Sequence, residues 1–141
     1  MKGWLLDTNV LSEWTRPRPN VRVVQFVVSQ PLDLLFISVV TLAEVRFGIE
    51  MQRDAGRRME LNDWLEHKMR PMFDGRVLDL NEDIVLKWRL LVEEGRKKGH
   101  TFGEPDVLIA ATAIHHGLTI VSRDTREFEI AGVPVLNPWN R

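Results

Sequence analysis

DVLIAATAIHHGLTIVSRD, residues 106–124, is the stretch on which the reading of the fold turns. From Val107 to Ile114 almost every side chain is apolar, as in a helix buried on most of its circumference. Pro105 suits the first turn of that helix, where a missing N–H costs nothing. Gly117 follows two histidines and reads as the stop. The next residues, LTIV, are apolar on both faces, which marks a strand covered by helices on both sides. The expected strand runs on to Asp124. A buried helix feeding a buried strand is the repeating unit of a parallel sheet. This unit carries an acid at each end, Asp106 in the first helical turn and Asp124 at the strand terminus.

The same grammar continues outward. Near the N-terminus GWLL reads as a strand ending at Asp7, followed by a short helix that RPRP must break. NVRVVQFVVSQ has helical spacing and stops at Pro31. A second strand is expected from Leu32 to Ser38, then a helix from Thr41 to Gly56 with Glu44 in its first turn. RRMELNDWLEHKMRPMF is a further helix and RVLDL a third strand. NEDIVLKWRLLVEEGRKKG is a long helix capped at Asn81 and stopped at Gly95 or Gly99, and VPVLN is a last short strand. No repeat or linker divides the chain, so residues 1–141 are expected to form one α/β domain. In such sheets ligands sit at the carboxyl ends of the strands.

Composition narrows the function. With 141 residues the chain can bury a core without staples, and with no cysteine it has neither disulfides nor zinc–thiolate sites. The opening MKGWLLD reaches an acid too early for a signal peptide, and LLFISVVTLAEV is too short and too charged to span a bilayer. The expected location is the cytoplasm, with no membrane contact. A formal net charge of −1 gives no global basic field, although arginine and lysine gather at RPRPNVR, RDAGRR and GRKKGH.

Asp7, Glu44, Asp106 and Asp124 each have a local explanation. Asp7 and Asp124 suit helix caps, Thr41 and Glu44 spell a capping box, and Asp106 complements a helix dipole. Together they are expected to project from one edge of one sheet. Clustered carboxylates raise one another's pKa and destabilise a fold unless a cation joins them. An all-oxygen set suits Mg2+ or Mn2+ rather than zinc, and the adjacent His115 and His116 are expected to diverge on their helix. Thr8 and Ser122 flank two of the acids and are candidates to orient them. Arg46 and Arg123 lie near enough in sequence to touch phosphate. Trp4, Trp64 and Trp88 are expected in the core, and Trp14 at a surface contact.

At these residues the chain resembles the PIN domain, and more narrowly the VapC-type toxin branch that includes FitB-like proteins. LLDTNVLSE carries Asp7, SVVTLAEVRFG carries Glu44, and DVLIAATAIHHGLTIVSRD carries Asp106 and Asp124; the closing LNPW is also similar to that branch. The resemblance implies a three-layer α/β/α fold around about five parallel strands in the order 3-2-1-4-5. It implies an endoribonuclease that uses Mg2+ or Mn2+ at the four acids, acts on RNA and is restrained by a cognate antitoxin. It also implies a homodimer, for which the apolar segment from Val21 to Phe47, with Val24, Phe26, Val27 and Val28, offers surface. Two alternatives remain. A receiver-like or phosphatase-like domain would want a close acid pair after the first strand, where Thr8 and Asn9 stand instead. A non-catalytic PIN-fold binding module would be expected to have lost some of the acids.

Overall fold

Leu5 and Leu6 are neighbours in the first strand, yet they belong to two different cores. Leu5 joins Ile84, Ile109, Ile120 and Phe128 on one face of the sheet. Leu6 joins Val10, Val27, Ile37 and Phe73 on the other. Successive strand residues point to opposite faces, so a sheet covered on both sides has to offer apolar side chains to both. The computed structural model describes residues 3–140; Met1 and Lys2 of the N-terminal reading lie outside them.

The strands are β1 (Trp4–Leu6), β2 (Leu35–Ser38), β3 (Val77–Leu78), β4 (Thr119–Val121) and β5 (Val135–Leu136). All pairings are parallel and the order is β3-β2-β1-β4-β5, the order implied by the resemblance. The helices are α1 (Thr8–Glu13), α2 (Val21–Ser29), α3 (Val39–Glu50), α4 (Ala55–Trp64), α5 (Arg70–Met72), α6 (Glu82–Lys97), α7 (Glu104–His116) and α8 (Thr125–Ile130). They cover both faces of the sheet, which gives the three layers. No helix among the described residues is long and apolar enough to cross a membrane.

Several expected boundaries move, each for a local reason. Leu32–Leu34 form a 3-10 turn after Pro31, and the strand begins only at Leu35. Ser38, not Thr41, caps α3, because its hydroxyl accepts the Val40 amide at 3.0 Å. The Thr41 hydroxyl is buried without a partner, so the capping box with Glu44 does not form. α3 stops at Glu50 rather than Gly56, and Asp54 caps the next helix by accepting the Arg57 amide at 2.9 Å. Pro71 has no N–H to give to the preceding turn. The helix there widens into a π-turn over Leu65–Met69, and the Arg70 amide reaches back to Leu65 O. α6 runs through Gly95, which is buried against Phe102, and ends just before Gly99. β4 ends at Val121, three residues before Asp124.

Candidate active site

β1 and β4 lie side by side with Leu6 opposite Val121, so the residues that follow them emerge together at the carboxyl edge of the sheet. The Asp7 amide continues the ladder one step by donating to Val121 O at 3.0 Å. Asp7 is 4 % exposed. Its Oδ1 accepts the Thr8 amide at 2.8 Å, and its Oδ2 accepts the Ser122 hydroxyl at 2.7 Å. Asp7 therefore caps α1 and also faces the cleft; the two readings of this residue are compatible.

The Ser122 hydroxyl has a fixed polarity. It accepts the Asn9 side-chain amide at 3.1 Å and the Asp124 backbone amide at 3.0 Å. Both lone pairs are used, so its single hydrogen is left for Asp7. The orientation of Asn9 is set in turn, because its Oδ1 accepts the Arg123 amide at 3.2 Å. Asn9 is a residue that sequence reasoning passed over; its position two residues after Asp7 was the only available signal. Thr8 contributes its backbone amide to Asp7 and lines the cleft.

One cleft of about 410 Å³ is lined by Asp7, Glu44, Asp106 and Asp124, together with Ser12 and Ile109. All four expected acids thus share one space, delivered by four separate elements. Asp106 lies in the first turn of α7. Glu44 is half-buried in the second turn of α3, one turn later than expected, because that helix begins at Val39. Asp124 occupies the N-cap position of α8, but its carboxylate makes no capping bond. It is exposed and available to the cleft.

Crowding appears in the protonation equilibria. Burial pushes Asp7 above the ordinary carboxylate range against the opposing pull of Ser122 and Thr8, and Asp124 and Glu44 add repulsion. Asp106 is pushed up to about 6, first by burial and then by the charges of Asp7, Asp124, Glu127 and Glu44. A divalent cation would relieve this repulsion, and a donor set made only of oxygen fits Mg2+ or Mn2+. Among the described residues, no three Asp, Glu or His side chains lie close enough to share one ion as they stand. The donor chemistry fits an ion, and Asp7, Glu44, Asp106 and Asp124 are the cleft side chains that would hold it.

Other candidates sort themselves out. No histidine lines the cleft. His115 and His116 meet edge to face, with ring centres 4.8 Å apart, and neither lines the cleft. His100 Nε2 lies 3.0 Å from Glu127 Oε1, where the loop before α7 meets α8. Arg57 and Arg58 are taken up by Thr15 O and Gln52 O, so part of the basic RDAGRR run serves the fold. Arg46 is exposed on α3, and Glu104 is exposed in the first turn of α7. Trp14, expected at a surface contact, is only partly exposed and packs against the core. It lines a second, apolar hollow of about 320 Å³ with Leu11, Val27, Trp64, Met69 and Met72.

The chain and its fold are similar to known proteins. The family model described as PIN domain matches residues 4–133. The chain is 38 % identical to Toxin FitB of Neisseria gonorrhoeae, over 96 % of this chain and 98 % of the relative. It is 36 % identical to VapC ribonuclease Y4jK of Sinorhizobium fredii, over 96 % of each. Among solved structures, FitAcB from Neisseria gonorrhoeae superposes with a TM-score of 0.93 at 38 % identity, covering 98 % of this chain and 99 % of that one.

Proposed function

The chain belongs to the PIN-domain family, and on that premise we propose that it is the endoribonuclease toxin of a toxin–antitoxin pair, with Asp7, Glu44, Asp106 and Asp124 holding Mg2+ or Mn2+. One observation carries the reading: four carboxylates from four elements line a single cleft at the carboxyl edge of the sheet. Relatives named as a toxin and as a VapC ribonuclease, matched over nearly their whole length, support it.

When bound, such an ion supplies positive charge for the phosphodiester and makes water a stronger acid. The chain supplies the arrangement. Asp7 is the fixed donor, locked at both oxygens by Thr8 and Ser122. Asp106 is rooted in the first turn of α7, while Glu44 and Asp124 have room to adjust. Within the cleft lining no serine is paired with a histidine base, so hydrolysis rests on the acids rather than on a covalent enzyme intermediate.

The partner reading follows from the same neighbourhood. α1 separates the acid cleft, lined by Thr8, Asn9 and Ser12, from the apolar hollow, lined by Leu11. An antitoxin chain crossing α1 would fill the hollow with apolar side chains and place a cation among the acids, in competition with metal. A homodimer is part of the same reading. Val21, Val28 and Phe47 of the segment expected to supply that surface remain exposed, as do Met51 just after α3 and Leu86 and Leu90 on α6, whereas Phe26 and Val27 of that segment are buried in the core.

The test is cleavage of RNA by purified protein with Mg2+ or Mn2+. Chelation and Asp7→Asn should each reduce it by orders of magnitude. Cleavage that persists in EDTA refutes the metal assignment, and failure to bind Mn2+ in a calorimetric titration favours the non-catalytic module.

A further inference from the structure

We propose that Arg123, carried on the face of Trp139, forms with Arg22 a binding site for the RNA backbone, gripping a phosphate beside the acid cleft. This rests on the ribonuclease reading and adds the surface that holds the substrate.

Arg123 lies between Ser122, which is bonded to Asp7, and Asp124. Its own amide donates to Asn9 Oδ1 at 3.2 Å, so the root of the side chain is fixed relative to the acids. A free guanidinium beside an acidic cleft would be expected to fold onto the carboxylates and neutralise them. Arg123 takes no part in the ion pairs found among the described residues. Its guanidinium carbon stands 4.3 Å from the centre of the Trp139 ring. Stacking occupies the face of the guanidinium and leaves the N–H groups at its edge, which is the geometry that grips phosphate with two parallel bonds.

The platform is built to stay in place. Trp139 is partly buried against the core that contains Leu6 and Val27, and Pro138 before it is buried. The Trp139 amide donates to Asn137 Oδ1 at 2.9 Å, and its carbonyl accepts from Arg22 Nη1 at 3.3 Å. Two exposed arginines therefore meet one tryptophan, one on its ring and one on its carbonyl. Neither is used by an acid among the described residues.

The charge balance supplies the need. A polyanion approaching four carboxylates meets repulsion, and a chain of net charge −1 has no overall positive field to offset it. The cations have to be local and must be kept off the acids. Trp139 does both for Arg123.

The experiment measures binding of a fluorescent single-stranded oligoribonucleotide by anisotropy across a salt series, with Asp7→Asn as the common background to prevent cleavage. Adding Arg123→Ala should weaken binding about tenfold and lower the slope of log affinity against log salt by about 0.7 for each phosphate no longer held. Arg123→Lys keeps the charge but not the fork, and should recover only part of the loss. Trp139→Leu should resemble Arg123→Lys, provided its circular dichroism matches the parent. In cleavage assays on the otherwise unaltered chain, the loss for Arg123→Ala should fall on KM more than on kcat, with Mn2+ affinity retained. Unchanged affinity and salt slope for Arg123→Ala, with normal RNA cleavage by the unaltered protein, overturns this proposal and leaves the ribonuclease reading standing. RNA binding that is intact while an antitoxin complex weakens reassigns the surface to a protein partner and also overturns it. Unaltered protein that neither binds nor cuts RNA overturns both readings.

Discussion

Asp106→Asn removes a carboxylate that burial and four acidic neighbours push up to about 6, from an ordinary value of 3.8. The folded protein takes up this proton more readily than the unfolded chain. In the absence of metal, the ionised group therefore costs stability above pH 6, and that cost disappears as the pH falls toward 3.8. A gap of about two pH units corresponds to about 3 kcal/mol at most. The side chain is partly open to solvent, and screening reduces this to roughly 1–1.5 kcal/mol. A carboxylate in the first turn of α7 also gains from the helix dipole, by about 0.3–1 kcal/mol. Glu104 remains in that turn, so asparagine forfeits only part of it. The repulsion wins, and the variant should be more stable than the parent by roughly 0.5–1 kcal/mol at pH 7.5 in EDTA, about 2–4 °C in Tm. Urea melts at pH 7.5 and pH 5 are the assay. The parent should recover about half of its deficit at pH 5, where the folded state is protonated and the unfolded state is not, and the variant should recover less. Saturating Mn2+ should reverse the ranking, because binding stabilises the state that binds. A variant less stable than the parent in EDTA at pH 7.5 would show that Asp106 serves the helix more than the cleft, and would refute the electrostatic reasoning.

Ser122→Ala deletes the hydroxyl donated to Asp7 Oδ2 and leaves the Asn9 amide without its 3.1 Å acceptor. Mn2+ affinity should fall roughly tenfold to a hundredfold, the acid limb of the pH–activity profile should move to higher pH, and Ser122→Thr should restore both; unchanged affinity would contradict the role of this network. Phe47→Glu places a charge on a residue that is 61 % exposed. By light scattering it should convert a dimer into a monomer that keeps the parent's circular dichroism spectrum, and an unaltered protein that is already monomeric at tens of micromolar removes the dimer from the picture.

The fold was legible in the sequence because its strongest signal is two-sided. Strands covered by helices on both faces are mainly apolar on each, and GWLL and LTIV show this without any regular alternation to interpret. What the sequence did not disclose was where one helix yields to the next. From Thr41 to Gly56 the spacing runs on as a single helix, yet Asp54 competes for the chain by accepting the Arg57 amide. Capping is a choice between neighbouring hydroxyls and carboxylates, and the sheet decides it. Ser38 wins over Thr41 because β2 delivers Ser38 at its last residue, with the extended backbone that a cap requires. Gly95 misled for the opposite reason. Its missing side chain makes room for Phe102, since a Cβ there would stand 2.7 Å from that ring; the glycine marks packing rather than a stop.

The acids were legible for a different reason. Each could be explained as a helix cap or a dipole partner, and the structure shows how far those explanations extend. Asp7 does cap α1 through the Thr8 amide, but only one of its oxygens is used in this way. Asp124 sits at a cap position and caps nothing. Capping therefore accounts for one oxygen of Asp7 and for neither oxygen of Asp124. Residues that act through another residue were harder to see. Ser122 was suspected because it is near Asp124 in sequence, yet its hydrogen goes to Asp7, 115 positions away. Asn9 matters because it fixes which way that hydrogen points. Both roles depend on β1 and β4 lying in register, with Leu6 opposite Val121. A one-residue slip would turn Ser122 to the other face of the sheet, leaving Asp7 buried and charged without its hydroxyl. Register and site are therefore one specification: the pairing that buries Leu6 and Val121 in one core also brings the Ser122 hydroxyl to Asp7.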